Sequence, residues 1–267
     1  MLWNDLRGHP PTIIPNHSTC QSDLISVHSH SPYQAIRNMN AKNLILAGVL
    51  MSLVHSAEPM SPVDPSTYKA PVRVACIGDS ITQGSGAAKG KSYPAQLQNL
   101  LGNAWLVGNF GVSGRTLLKK GDFPYWKEKA YQNSLGFSPD VVIIMLGTND
   151  TKPQNWKHEA EFTADYRELV KSFQALESKP RVYVCRPCPI PEPGNFGINE
   201  TCAKEEIKRI DALAAEMKLG MIDMHAALAE KPQLLPDRVH PNTEGAGEMA
   251  KAAFAVLTGK PAPETAP

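Results

Sequence analysis

The feature that most limits how this chain can fold is a repeated pairing. A short apolar run ends abruptly in a polar, often glycine-bearing block, and a helix-length segment follows. The runs lie at residues 72–77, 105–107 (extending toward Phe110), 141–146, 182–185 and 221–224. Near-continuous apolar runs of strand length read as strands buried on both faces, as in parallel sheets. Residues 93–101 read as an amphipathic helix stopped by Gly102. Residues 159–176 place Phe162, Tyr166, Leu169, Val170 and Phe173 at helical spacing. Residues 200–217 form a second long helix. A last one starts near Asn242 or Thr243, either of which can cap it. The polar and aromatic stretch 117–135 is expected to carry a short helix. Strands alternating with helices predict an α/β fold, a five-stranded parallel sheet with helices on both faces.

The first 38 residues read differently. They hold His9, His17, His28 and His30, scattered prolines and no sustained periodicity, as expected of a disordered or non-native leader. Residues 39–57 then carry Lys42, an apolar run at 44–54, and the small residues Ser56 and Ala57. That is the order of a secretory signal peptide, and the run is too short to span a bilayer comfortably. Because such signals work at an N-terminus, Met39 is the expected start. The mature chain then begins near Ala57 or Glu58 in a secreted or periplasmic protein without stable membrane insertion. Residues 58–70 read as a Pro-rich linker, 71–260 as the folded domain and 261–267 as a disordered tail. A net charge of +1 and no basic stripe argue against nucleic acid as a partner.

Cys76 lies in the first run and reads as a buried apolar residue. Cys185-x-x-Cys188 has no second pair, so neither a metal nor another cofactor is expected. A Cys188–Cys202 disulfide is open to an exported protein, with free thiols as the default.

Chemistry-bearing residues cluster at the run ends. Ligands bind outside the carboxyl ends of the strands in open α/β sheets, so these blocks converge on one rim. Ser80 follows Gly78, which permits a tight turn, and it can open a helical turn with its N–H free. A serine hydroxyl needs an adjacent base to act as a nucleophile; otherwise Ser80 is a helix cap. His240, with Asp237 three residues before it, is the candidate base, since a carboxylate can fix the imidazole tautomer. His158 stands in a charged segment, and His225 is a weaker rival. The Ser80 and Gly114 N–H groups and the Asn149 side-chain amide are candidate donors to an oxyanion. No Gly-x-Ser-x-Gly occurs, so the nucleophile elbow of α/β-hydrolases is absent.

Taken in order, Gly78-Asp79-Ser80, Gly114, Gly147-Thr148-Asn149-Asp150 and Asp237-x-x-His240-Pro241 resemble the four blocks of the SGNH (GDSL-type) hydrolases. The resemblance covers residues 72–257. It implies a three-layer, flavodoxin-like fold and a metal-independent serine esterase. In that reading Ser80 is the nucleophile, His240 the base and Asp237 its orienter. Ser80, Gly114 and Asn149 form the oxyanion hole. The stretch from Ser113 to Thr116 and the later Trp156 look similar to sialate or xylan acetylesterase-like members. This favours a carbohydrate O-acetyl ester, a small molecule or oligosaccharide, as substrate. Tyr125, Trp126, Trp156 and Phe196 are candidate sugar-stacking residues at the rim, with core packing as their alternative. Asp79 and Arg115 are further candidate contacts. Arg115 could pair a sugar carboxylate, or anchor Asp79 or Asp150 instead. The competing functions are a lysophospholipase or thioesterase for longer acyl groups, and a non-catalytic carbohydrate-binding module.

Overall fold

A computed structural model of the chain describes residues 60–263. The leader and signal-peptide expectations for residues 1–57 lie outside the described residues, as do the last four residues of the expected tail. Five strands form one parallel sheet: β1 (Val72–Gly78), β2 (Trp105–Gly111), β3 (Val141–Met145), β4 (Arg181–Arg186) and β5 (Gly220–Asp223). Their spatial order is β2-β1-β3-β4-β5. The order reverses between β1 and β3, and in open α/β sheets that switch point opens the ligand crevice.

The helices follow the strands. They are α1 (Ser80–Gln83), α2 (Tyr93–Leu101), α3 (Lys129–Gly136), α4 (Pro153–Trp156), α5 (Phe162–Gln174), α6 (Glu200–Met217), α7 (Met224–Leu228) and α8 (Thr243–Thr258). Asn242 caps α8 by accepting the Gly245 N–H. Asn199 caps α6 through the Cys202 N–H. Each side-chain oxygen satisfies a donor that the first helical turn leaves without a partner.

Strand side chains alternate between two cores, as the two-residue period of a strand requires. Val72, Val74, Cys76, Val141, Ile143 and Met145 face α2 and α8, against Tyr93, Leu97, Met249 and Ala253. Ala75, Ile77, Val142, Ile144 and Leu146 face the other way, against Tyr131, Phe162, Tyr166, Leu169, Phe173, Ile210 and Leu213. The result is three layers around a doubly covered sheet, the expected α/β class.

One expectation needs correction. Residues 60–70 do not run free as a linker. Val63 is buried, its N–H donates to Leu257 O at 2.7 Å, and Asp64 caps a short 3-10 turn at Pro65–Thr67. A Cys188–Cys202 disulfide is not formed, because the two side chains belong to opposite cores. Cys188 instead donates its thiol to Met249 Sδ at 3.7 Å. Cys76, Cys185 and Cys188 are buried free thiols, and burial raises Cys76 to about 12.

Candidate active site

The site forms at the switch point. Ser80 opens α1 directly after β1. Gly78 is required there because a Cβ would lie 2.0 Å from Thr82 Oγ1 and 2.7 Å from Met145 O. Asp79 caps α1 by accepting the Ile81 N–H at 2.9 Å. Ser80 is 6% exposed, and its Oγ lies 2.9 Å from His240 Nε2. His240 Nδ1 lies 2.7 Å from Asp237 Oδ2, and the other Asp237 oxygen accepts the backbone N–H groups of His240 and Val239. A carboxylate at Nδ1 fixes the proton there, which leaves Nε2 as the acceptor for the serine hydroxyl. Burial pushes the Asp237 carboxyl up, but the hydrogen bonds from His240 and Val239 and the imidazole charge outweigh it. The net result is below the usual range, so Asp237 is ionised at neutral pH.

Two further loops meet Ser80. Gly114 has φ +79, a left-handed conformation that favours glycine, although a Cβ there would meet only open space. Asn149, in the 3-10 turn Thr148–Thr151 after β3, is buried. Its Nδ2 donates to Arg115 O at 3.2 Å and to Asp79 Oδ2 at 3.3 Å. Both distances sit at the long end of the N–H···O range; together they engage both N–H bonds of the amide, so an oxyanion here would share or displace one of these weak contacts. The N–H groups of Ser80 and Gly114 have no acceptor among the described residues. Hydrogen bonds thus tie four separate segments together here: His240 and Asp237 to Ser80, Asn149 to Asp79 and Arg115, and the Ser113 N–H to Gln83.

The GDSL-like lipase/acylhydrolase family aligns with residues 76–247, most of the folded domain. The chain belongs to that family. It is 40% identical over 214 residues to an acetylxylan esterase from Xylanibacter ruminicola, covering 72% of this chain and 44% of the relative. The chain therefore spans less than half the length of that relative. Solved structures agree on the fold. A carbohydrate acetylesterase from Sinorhizobium meliloti superposes with a TM-score of 0.56 at 24% identity, over 68% of this chain and 96% of that one. A catalytic variant of an acetylxylan esterase from Geobacillus stearothermophilus gives 0.55 at 24%, over 70% and 94%.

Within this GDSL-like domain the remaining candidates separate. Asp79 is fully buried beneath Ser80, which corrects its reading as a substrate contact; burial raises its carboxyl to about 6. Arg115 binds neither Asp79 nor Asp150. Its Nη2 lies 2.8 Å from Glu128 Oε1, and its Nη1 donates to Ser113 O. Tyr125 is buried and donates its hydroxyl to Phe110 O at 2.7 Å. Trp156 is buried edge-on to Phe162, with the Arg209 guanidinium over its ring. Trp126 packs against Tyr131, donates to Leu117 O and carries the Lys119 ammonium 4.4 Å above its ring. Tyr125 and Trp156 therefore belong to the core, while Trp126 is half-buried against it. Phe196 alone of the four is exposed beside His240. His225, the rival base, pairs with Glu200 at 2.8 Å instead.

Further residues support the site, and Asn155 and Glu206 among them lie outside the four blocks. Asp150 accepts the Leu117 and Leu118 N–H groups at 2.9 and 2.7 Å, tying the Gly114 loop to the Asn149 loop. Burial raises its carboxyl to about 7. Asn155 donates to Asn149 O at 2.8 Å, and Gln83 Oε1 accepts the Ser113 N–H at 2.8 Å. Glu206 of α6 is fully buried, and neither carboxyl oxygen has a hydrogen-bond partner among the described residues. A Cβ on Gly147 would lie 2.8 Å from its Oε2. Burial, with Asp150 and Asp79 nearby, pushes Glu206 well above the usual carboxylate range. Only the hydrophobic spacing of α6 bears on Glu206, and it does not mark a buried acid.

Proposed function

We propose that this protein hydrolyses O-acetyl esters on carbohydrate by a serine acyl-enzyme mechanism. The observation that carries the chemistry is the continuous chain from Ser80 Oγ to His240 Nε2 at 2.9 Å and from His240 Nδ1 to Asp237 Oδ2 at 2.7 Å. The acetylated carbohydrate is supported by the 40% identity to an acetylxylan esterase.

The steps follow from the geometry. Ser80 Oγ attacks the acetyl carbonyl while His240 Nε2 takes the hydroxyl proton. Asp237, ionised and hydrogen-bonded to Nδ1–H, stabilises the imidazolium that forms. The carbonyl oxygen becomes an oxyanion. The N–H groups of Ser80 and Gly114 and the Asn149 amide supply donors fixed in place before charge develops. His240 then returns the proton to the departing sugar oxygen, the C–O bond breaks and acetyl-Ser80 remains. Water, deprotonated by His240, attacks the acetyl carbonyl. Acetate leaves and Ser80 regains its proton.

Acetate release from a panel of acetylated xylan, pectin and sialosides, beside nitrophenyl esters of increasing chain length, tests this reading. Turnover of at least one acetylated saccharide and a sharp preference for acetyl over longer acyl groups are expected. A preference for long chains with no saccharide turnover would replace it with a lysophospholipase or thioesterase.

A further inference from the structure

Among the described residues, three large apolar side chains are markedly exposed: Leu106, Phe123 and Phe196. Leu106 lies on the edge strand β2. Phe196 is 57% exposed, and its ring centroid is 5.9 Å from that of His240, with the planes inclined at 55°. Its backbone has φ +55, uncommon for a bulky residue and costly enough that the surroundings must hold it there.

The surroundings do hold it. Asn195 Oδ1 accepts the Phe196 N–H at 2.8 Å, while Asn195 Nδ2 donates to Asp237 O at 3.0 Å. Ile198 N–H donates to Asn195 O at 2.8 Å. Ile190, Ile198 and Ala203 form a small separate core with Val239, which lies between Asp237 and His240 in the chain. The Phe196 loop and the His240 loop are thus anchored to one another by a hydrogen bond and a shared apolar cluster. An exposed ring in an unfavourable backbone conformation, registered against the candidate base, is poorly explained by packing alone.

Its position says which part of a substrate it meets. His240 Nε2 takes the proton from Ser80 and gives it to the departing alcohol oxygen, so the alcohol portion of the ester lies against the His240 side of the site. The acyl oxygen lies toward Gly114 and Asn149. We infer that Phe196 is a specificity-determining platform on which the sugar ring of the leaving alcohol stacks. This rests on the carbohydrate reading above and adds the side and the residue. An aromatic face offers such a ring a large, stiff apolar surface at small entropic cost.

The acetyl-enzyme is the same whichever acetate ester forms it, so Phe196 acts in acylation and its effect is read in kcat/KM. The test compares wild type, Phe196→Ala and Phe196→Trp on an acetylated xylo-oligosaccharide and on methyl acetate, whose alcohol has no ring. In Phe196→Ala the loss of kcat/KM on the saccharide exceeds the loss on methyl acetate by roughly tenfold, and Phe196→Trp restores most of it. Equal losses on both esters would show that Phe196 acts only by positioning His240, and an undiminished saccharide rate would show no contact; either overturns the inference while leaving the carbohydrate reading standing. A wild type that cleaves methyl acetate but no acetylated saccharide overturns both.

Discussion

Asn149 shows how a residue can be placed by the fold yet read from a short motif. Its amide nitrogen is held by two long hydrogen bonds, to Arg115 O and Asp79 Oδ2, while Asn155 grips its carbonyl. In the proposed mechanism this amide acts on charge that exists only in the transition state. Asn149→Ala is expected to lower kcat by roughly 10²–10³ with little change in KM, since one such donor is worth about 3–4 kcal/mol. Steady-state kinetics on an acetyl ester check this; a rise in KM alone would place Asn149 in ground-state binding. The hydrogen-bonded grouping of Ser80, His240 and Asp237 was legible because Gly78-Asp79-Ser80 follows a strand and Asp237-x-x-His240 lies near the C-terminus, in an order that resembles one family. The residues behind them were not. Asp150, Gln83 and Asn155 act through hydrogen bonds that no local spacing reveals, and Glu206 sits in ordinary helix sequence. The rim aromatics failed in the opposite sense. Tyr125 and Trp156 sit in rim segments, but a large ring gains more by burial than by waiting at the surface.

Among the elements, α2 and α6 follow their sequence boundaries closely, because strong periodicity coincides with clear stops and caps. Residues 117–135 were harder. Helix α3 begins only at Lys129, and the irregular chain before it buries Leu117, Leu118 and Tyr125 while hooked onto Asp150 and Asn155. Tertiary hydrogen bonds, rather than any local period, shape that stretch. Helix α6 presses a buried acid against Gly147 at the head of the Asn149 turn, and this yields a prediction about pH. Burial keeps Glu206 protonated to a higher pH than in the unfolded chain, as it does for Asp150 to about 7 and Asp79 to about 6. Above the unfolded carboxylate range the unfolded chain has released these protons and the folded chain has not, so stability falls as pH rises through that window. Asp237, whose carboxyl is lowered, works the other way and loses its contribution only as pH falls into the acid range. Glu206→Gln mimics the neutral acid and cannot ionise. Its Tm relative to wild type is expected to rise from pH 5 to pH 8, measured by thermal denaturation across that range. A difference that stays constant with pH would mean Glu206 is not held protonated.

For the molecule as a whole, the alternation of strands and helices was enough to expect a parallel, doubly covered sheet. It could not order the strands, because all five runs are similarly apolar and pairing is set by long-range packing. The order β2-β1-β3-β4-β5 matters because it brings the ends of β1 and β3, and so Ser80 and Asn149, to the same switch point. It also lets residues 60–70 fasten onto the C-terminal helix through Val63 and Leu257, a contact that a proline-rich composition conceals. The proposed mechanism makes Ser80 Oγ the atom that takes the acyl group. The most direct test is covalent: incubate the protein with a fluorophosphonate, digest it and locate the adduct by mass spectrometry. One adduct on the peptide carrying Ser80 is expected, with loss of esterase activity in step. Ser80→Ala should carry none while remaining folded, with kcat reduced by roughly 10⁴–10⁶. An adduct on another residue, or a Ser80→Ala variant that still releases acetate at a comparable rate, would contradict the mechanism.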